Sequence, residues 1–420
     1  MSLTFTTADA VLKEDYKDPL REQLNNTCFI LSQIEENTDD VVGLRAYLAL
    51  HTSRSDGVGA RGEGGTLPTA NNQGYSEAHL PIRYNYGRIQ VSGPIIKAMS
   101  KDRGSFIRAV RSETEGIRKD LKRDVNRQCW GTSNGVIATC GTTSTDTTIV
   151  LLNATRTQVR QLWNQGGMAV EIGTVADPDV VAGQRTTDTP VYTSGSESID
   201  ISGANVSTTS GTHFIFRESS GGASDGSGLS GDGQFELTGL QSIVATGDTL
   251  FGVAGATVTE WNSYVDSNAT NRSLTEQMVN KANQRAEISS DEQVDLMVGS
   301  DGVSRFAASL LESIRRNIDN VDLKAGYEGI RWSTPMEGMR DAKQRALVWD
   351  QDCPNNQLFG LCTDRLVQFV SSDWDWMDED GAVLSRVANQ DAYEATMFKY
   401  HELASGQRNA HWLISNLTEA

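Results

Sequence analysis

Gly57, Gly59 and Gly62 spell a GxGxxG, the pattern that turns a chain tightly around a dinucleotide pyrophosphate. That chemistry requires a strand feeding the glycines and a helix opening on the last of them, so that amide N–H groups point at phosphate. Glu63, Gly64, Gly65, Thr66, Leu67 and Pro68 follow instead and start no helix, so no cofactor is expected here. Asp373, Asp375, Asp378, Glu379 and Asp380 resemble half of a calcium loop, but the terminal bidentate Glu of that pattern is missing. A solvated acidic hairpin turn is the expectation. The same carboxylates, flanked by Trp374 and Trp376, could also act as the acid and nucleophile of a carbohydrate-active enzyme. No Walker A, HExxH or zinc-deaminase pattern occurs, and His51, His79, His213, His401 and His411 show no ligand or triad spacing. The five cysteines, Cys28, Cys129, Cys140, Cys353 and Cys362, are odd in number and contain no CxxC pair, which reads as reduced thiols rather than a disulfide framework or zinc site. No catalytic, cofactor-binding or metal-binding residue is therefore expected, and a structural, non-enzymatic role is favoured.

The elements that would position any site belong to an α+β chain of 420 residues, long enough for two or three domains. A net charge of −18 argues against sequence-independent wrapping of nucleic acid, which needs excess Lys and Arg. The N-terminus shows no basic and apolar signal-peptide pattern, and no apolar run reaches membrane-spanning length, so synthesis in the cytoplasm and no membrane partner are expected.

Pro94 to Gln128 is the spine of the chain. Pro94 suits a helix start, and Ile96, Met99, Phe106, Val110, Ile117, Leu121 and Val125 recur at mostly helical spacing. An unbroken helix here would be roughly 50 Å long, with charged flanks in which Lys and Arg outnumber Asp and Glu. Before it, a short helix is predicted from Pro19 in a polar arm, and Leu44, Ala46, Leu48 and Leu50 alternate as a half-buried strand. A second alternating run, Leu80, Ile82, Tyr84 and Tyr86, completes a long β-hairpin around a Gly/Ser/Asn-rich tip. Such a ribbon cannot bury its own apolar face, so it needs a partner, and another copy of the chain is a candidate.

After the spine, Trp130 to Thr148 reads as a Gly/Thr/Ser connector, and Ala154 to Trp163 as a short helix. Met168 to about Val258 reads as a β-rich insert, with strands at Ala169–Val175, Ser198–Ile201, His213–Arg217 and Phe235–Leu237 and a loose loop at Ser219–Gly233. Ser273 and Glu276 make a capping box ahead of Met278, Val279, Ala282 and Ala286. A strand through Val294, Leu296 and Val298, a Gly299–Gly302 turn, a helix from Val303 to Ile314 and strands at Ala346–Trp349 and Gln357–Leu361 predict an α/β layer with its own core.

This order of elements, together with LKEDYKDPLREQLN, RIQVSGPIIKAM running into RAVRSETEGIRKDLKRDVNRQ, WDQDCPNNQLFGL and SDWDWMDEDG…DAYEATMFKY…RNAH, resembles the major capsid protein of tailed bacteriophages. The resemblance covers nearly the whole chain apart from the β-rich insert. It implies the Hong Kong 97-like fold: an N-terminal arm (1–43), an extended E-loop hairpin (44–93), a P domain carrying the spine helix (94–167), the β-rich insert (168–258), an A domain (259–365), and a C-terminal part returning to the P domain (366–420). It implies self-assembly into hexamers and pentamers of an icosahedral virion head that encloses double-stranded DNA without sequence-specific binding, assembled in the host cytoplasm. A portal, a separate scaffolding protein and a cement protein are the implied partners, because too little chain precedes the hairpin for a large fused scaffolding segment. An encapsulin-like nanocompartment is the close rival.

Some members of that family join subunits through an E-loop lysine. From Arg45 to Pro94 this chain has Arg45, Arg54, Arg61, Arg83 and Arg88 but no lysine, so that covalent link is not expected. Subunit contacts would then rest on those arginines and on Glu113, Glu115, Arg118 and Lys122 of the spine, setting register more than strength.

Overall fold

The structure is a computed structural model that describes residues 28–43, 45–94, 103–152, 162, 167–175, 180–191, 197–217, 235–314, 320–332, 345–378 and 383–418. The predicted helices at Pro19 and Ala154–Trp163 and the loop at Ser219–Gly233 lie outside the described residues or almost wholly so, as do residues 95–102 of the predicted spine.

The arm contributes helix α1 (Phe29–Gln33) and strand β1 (Glu35–Asn37). Strands β2 (Val41–Val42), β3 (Arg45–Ser53) and β4 (Gly74–Pro81) form a three-stranded antiparallel sheet, in which Arg45 opposes Pro81 and Ser53 opposes Gly74. Ala46, Leu50, Ala78 and Leu80 pack with Phe251, Trp261 and Phe369, so the base of the hairpin is buried inside the chain itself. The second run predicted for the hairpin, Leu80 to Tyr86, is not one strand. It breaks at Ile82, and β5 (Arg83–Ser92) joins a different sheet. Its phase is also opposite to the expectation: Tyr84 and Tyr86 are exposed while Asn85, Gly87 and Ile89 face inward.

The inward face of β5 receives the spine helix α2 (Arg103–Gln128). A Cβ on Gly87 would stand 2.6 Å from Leu121 Cδ1 and 2.9 Å from Ile117 Cγ1, so glycine is what lets helix and sheet approach. Leu121 and Val125 are buried as predicted.

The chain then enters a β-module: β6 (Val136–Thr139), β7 (Thr143–Asp146), β8 (Thr148–Val150), β9 (Ala169–Gly173), β10 (Ala182–Val191), β11 (Ser198–Ile201), β12 (Val206–Thr208) and β13 (Phe214–Arg217). Six of these run in the order β6-β13-β9-β10-β11-β8, and β7 pairs with β12. The two ends of the six-stranded sheet meet: Gly141 N–H donates to the Val150 carbonyl at 2.7 Å and Leu152 N–H to the Thr139 carbonyl at 2.8 Å, around a Cys140–Leu151 bridge. The module is thus a closed barrel, which removes exposed strand edges. Ile137, Ile149, Val170, Ile172, Ile199 and Ile215 fill it. The stretch Trp130–Thr148, read from sequence as a connector, supplies β6 and β7. Short strands rich in Thr and Gly imitate loop composition, while Ile137, Ala138 and Cys140 mark the barrel wall. Phe235–Leu237 is not a strand; Leu237 instead joins Leu240, Ile243 and Val244 in the main core, next to helix α3 (Leu240–Ile243).

Beyond a small ribbon of β14 (Thr249–Leu250) and β15 (Val253–Ala254) come β16 (Tyr264–Asp266), α4 (Glu276–Ser290), β17 (Leu296–Gly299), α5 (Asp301–Ile314), β18 (Asn320–Asp322), β19 (Glu328–Trp332), β20 (Arg345–Trp349) and β21 (Leu358–Leu361). The cap of α4 is Thr275, whose hydroxyl accepts from Met278 N–H at 3.3 Å, rather than the predicted Ser273. The chain closes with β22 (Leu366–Trp376), β23 (Ser385–Arg386), β24 (Ala392–Ser405) and β25 (Trp412–Ile414).

Two sheets organise the body. One is seven-stranded, β16-β25-β21-β17-β20-β19-β18, parallel only at β16/β25 and β17/β20. Period-two alternation sends Met297, Leu347, Leu358, Trp412 and Ile414 to the α4/α5 side, and Leu296, Val298, Ala346, Phe359 and Leu413 to the side of Val125, Trp130 and the arm. This is the predicted α/β layer. The other sheet pairs β24 with β5 on one edge and with β22 on the other, and β1 adds to β22 in parallel.

Candidate subunit interface

The hairpin tip between Ser53 and Gly74 carries no helix and no strand. Gly57, Gly59 and Gly62 therefore sit in an extended exposed loop, without the helix a phosphate cradle needs. Two large apolar side chains stand on this tip almost fully in solvent, Val58 at 85% and Leu67 at 80% exposure. Leaving each uncovered forgoes about 1.5–3 kcal/mol of burial. Arg54 is exposed on the same tip, and Arg61 folds back on it, with Nε 3.0 Å from the Thr66 carbonyl.

The remaining arginines singled out from sequence lie at the hairpin's base and on β5. Arg45 opens β3 half-buried, Arg83 pairs with buried Glu402 at 3.4 Å, and Arg88 bonds Glu394 across the exposed face of β5 and β24. On α2, Glu113 is half-buried and its carboxyl is pushed up by burial and by Asp120, whereas Glu115 and Arg118 are exposed and Lys122 is half-buried. The structure thus gathers Arg54 and Arg61 at the tip, and Glu113, Glu115, Arg118 and Lys122 on one stretch of helix, while Arg83 serves the interior of its own chain.

Beside Arg88, the exposed face of β5 and β24 carries an aromatic group: Tyr84 and Tyr400 meet edge-on at 5.0 Å, and Phe398 and Tyr400 at 4.8 Å. Burial and the neighbouring Tyr400 hydroxyl raise the Tyr86 phenol to about 12. The acidic stretch near Trp374 is strand rather than turn as far as Trp376; Asp378 lies beyond the strand, and Glu379 and Asp380 lie outside the described residues. Asp373 and Asp375 lie within β22, and Asp373 pairs with buried Lys399 at 3.1 Å. Lys399 also holds Glu36 of the arm strand at 2.6 Å and lies over the Trp374 ring.

What sequence reasoning missed is a set of buried charges that hold the layers in place. Arg127 is bonded to Glu236 and Asp124, tying the end of α2 to the chain returning from the barrel. Burial pushes the Asp124 carboxyl up, but Arg217, Arg127 and the Gln128 amide outweigh it and hold it well below the usual range. Gln128 Nε2 donates to Asn85 at 2.9 Å, and its Oε1 accepts from Leu237 N–H at 3.2 Å. Glu402, wholly buried, accepts from the N–H groups of Thr238 and Leu403 and is raised to about 7 by burial. A lone charged residue in a polar sequence carries no sign of burial; RNAH, around Arg408 and His411, and the end of RAVRSETEGIRKDLKRDVNRQ, with Asp124, Arg127 and Gln128, stand out through the resemblance alone. Among the described residues, no group of three or more His, Cys, Asp or Glu side chains is placed to hold a metal ion, and no helix is long and apolar enough to cross a membrane.

No protein-family model matches the chain, and no curated protein matches it in sequence. Solved structures do match. A chain of the cyanophage A-1(L) capsid asymmetric unit aligns with 99% of this chain and 100% of its own, at 14% identity and a TM-score of 0.57. The capsid of Myoviridae phage XM1 aligns with 97% of each chain at 8% identity and TM-score 0.47. The holo-SrpI encapsulin complex from Synechococcus elongatus PCC 7942 aligns with 99% of this chain and 96% of its own, at 7% identity and TM-score 0.43. The end-to-end match to the A-1(L) chain establishes that this chain has a phage-capsid fold.

Proposed function

We propose that the chain is the structural subunit of a phage head, whose copies associate into hexamers and pentamers of an icosahedral shell around double-stranded DNA. The observation that carries this reading is the hairpin tip, which presents Val58 and Leu67 to solvent, in a fold shared with a capsid. In this reading residues 1–43 are an arm and 44–93 an E-loop laid over a neighbouring copy. Residues 94–167 with 366–420 form the peripheral domain, 259–365 the axial domain, and the barrel projects outward. The tip arginines and the exposed charges of α2 set the register between copies. The acidic balance suits a wall that confines DNA without gripping it. A portal, a separate scaffolding protein and a cement protein are the partners this reading calls for.

Negative-stain electron microscopy and light scattering of the chain, expressed alone and with its neighbouring genes, test the proposal. Closed shells, tubes or ring-shaped capsomers are expected, with nucleic acid in the filled particles. Protein cargo in place of nucleic acid would move the assignment to an encapsulin-like compartment. A chain that stays monomeric at high concentration under all conditions would refute both.

A further inference from the structure

Helix α1 of the arm meets the body at two neighbouring acids. Asp350, 3% exposed, follows β20; its Oδ2 accepts from Ile30 N–H at 3.3 Å and its Oδ1 from Asp352 N–H at 2.9 Å. Asp352 Oδ2 accepts from Asn126 Nδ2 of the spine helix at 2.8 Å, and Asn126 Oδ1 accepts from Leu31 N–H at 3.4 Å. Arm, spine and the β20–β21 loop are thus linked through one polar chain with two carboxyl groups at its centre. The other titratable groups acting on the pair are Arg123 and Arg127 from α2, Cys28 at the start of the arm, Cys129 at the end of α2, and Tyr327 ahead of β19; Lys122 of α2 acts on Cys28. Arg127 is already bonded to Glu236 and Asp124.

We propose that Asp350 and Asp352 form a proton-operated latch for the arm: with a proton on the pair, Phe29–Gln33 stays docked on the spine helix, and loss of that proton loosens it. Two buried carboxylates whose charges act on one another cannot both ionise cheaply. Burial and the Asp350 charge raise Asp352 from 3.8 to about 7, and burial raises Asp350 as well. Undocking the arm uncovers the pair, and burial outweighs the Ile30 N–H bond that by itself favours ionised Asp350, so docking is strongest below about pH 4 and weakens as pH rises through about 7. Strand β1 stays in place through the change, because Lys399 and Lys324 hold Glu36 and Glu35. The latch therefore opens one turn of helix rather than the whole arm.

The test is amide hydrogen exchange of the full chain, corrected for the intrinsic pH dependence, with the wild type and Asp352→Asn compared. Wild-type protection of the α1 amides is expected to fall at least tenfold between about pH 4.5 and 7.5, within the roughly thousandfold ceiling that three pKa units set. Asp352→Asn should hold acid-level protection across the range. Flat wild-type protection, or an equal fall in the variant, overturns the proposal. Should Asp352→Asn fail to fold, Asn126→Asp adds a third acid to the cluster and should lower α1 protection near pH 7; unchanged protection would refute the latch.

Discussion

Arg408 tests how the body is held together. It follows β24, is fully buried, and fans its guanidinium over one segment: Nε donates to the Ile243 carbonyl at 2.8 Å, one terminal nitrogen to the Trp261 carbonyl at 3.0 Å, and the other to Ser242 at 2.9 Å and Ala245 at 3.2 Å. That same nitrogen bonds Asp248 at 3.0 Å, and the group lies over the Trp261 ring. One residue thus satisfies four carbonyls at the two ends of the stretch 242–261, which holds the small β14–β15 ribbon. Arg408→Met keeps the volume and removes the donors. Each charge-assisted bond contributes about 1.5–3 kcal/mol, but acceptors sharing one guanidinium are not additive, and breaking a buried ionic site costs about 3–5 kcal/mol in total. The expected loss is about 4 kcal/mol. Arg408→Lys offers a point charge without the planar fork, so it should still lose about 2 kcal/mol. Urea unfolding followed by tryptophan fluorescence should show the midpoint falling at unchanged slope, with faster amide exchange confined first to 240–263. A loss under about 1 kcal/mol in the methionine variant, or a lysine variant equal to wild type, would refute the account.

At Gly87, alanine should cost about 1 kcal/mol and leucine about 2–3 kcal/mol, read by the same unfolding assay, because any side chain there displaces Ile117 and Leu121 of the spine. His411 is buried and neutral: Cys362 N–H donates to its Nδ1 at 3.1 Å, so its proton sits on Nε2 toward Ser405 Oγ, and burial with the Arg408 charge lowers it from 6.5 to about 3. A base with a depressed value adds stability above its ordinary titration that is lost as pH falls from 6.5 toward 3. The stability gap between wild type and His411→Gln should therefore shrink with acidification, and a gap that widens would contradict the assignment. Ile199→Ala, in the fully buried barrel core, should cost about 2–4 kcal/mol and raise amide exchange across 136–217 while leaving β17 and β20 unaffected; equal loosening of both would show that barrel and body share one core.

Where burial is one-sided and the element is long, residue pattern and structure agree. Ala46 and Leu50 of β3, Leu121 and Val125 of α2, and Val279, Ala282 and Ala286 of α4 all face the side their spacing selects. The failures share a cause, which is that a neighbour overrode local pattern. Tyr84 and Tyr86 look like inward positions of a strand, yet the spine helix requires the smaller Gly87 and Asn85 beneath it, so the tyrosines turn outward. Asp373 and Asp375 resemble a turn, but β24 runs far enough to extend β22 through both. The strands at 136–150 are hidden because they are only three or four residues long and β7 and β8 are rich in threonine, with Thr143, Thr145 and Thr148. Sequence alone groups the arginines of the hairpin; the fold divides them, because Arg83 pairs with buried Glu402 inside the chain while Arg54 and Arg61 remain at the tip.

That division bears on how copies would hold one another in the proposed shell. Fixing the backbone of the tip between Ser53 and Gly74 at about 1 kcal/mol per residue opposes order by on the order of 20 kcal/mol. Offsetting this by burial alone would take about 800 Å² of apolar surface, far more than Val58 and Leu67 can supply on one copy. Main-chain pairing and arginine contacts along the length of the loop must therefore share the work, which favours a tip laid along a neighbouring copy over one that touches it at a point. The absence of lysine from Arg45 to Pro94 fits the same geometry. Arginine gives up its chance at an amide bond but makes planar, two-pronged contacts with carboxylates, and repetition of such contacts over many copies compensates for the weakness of each.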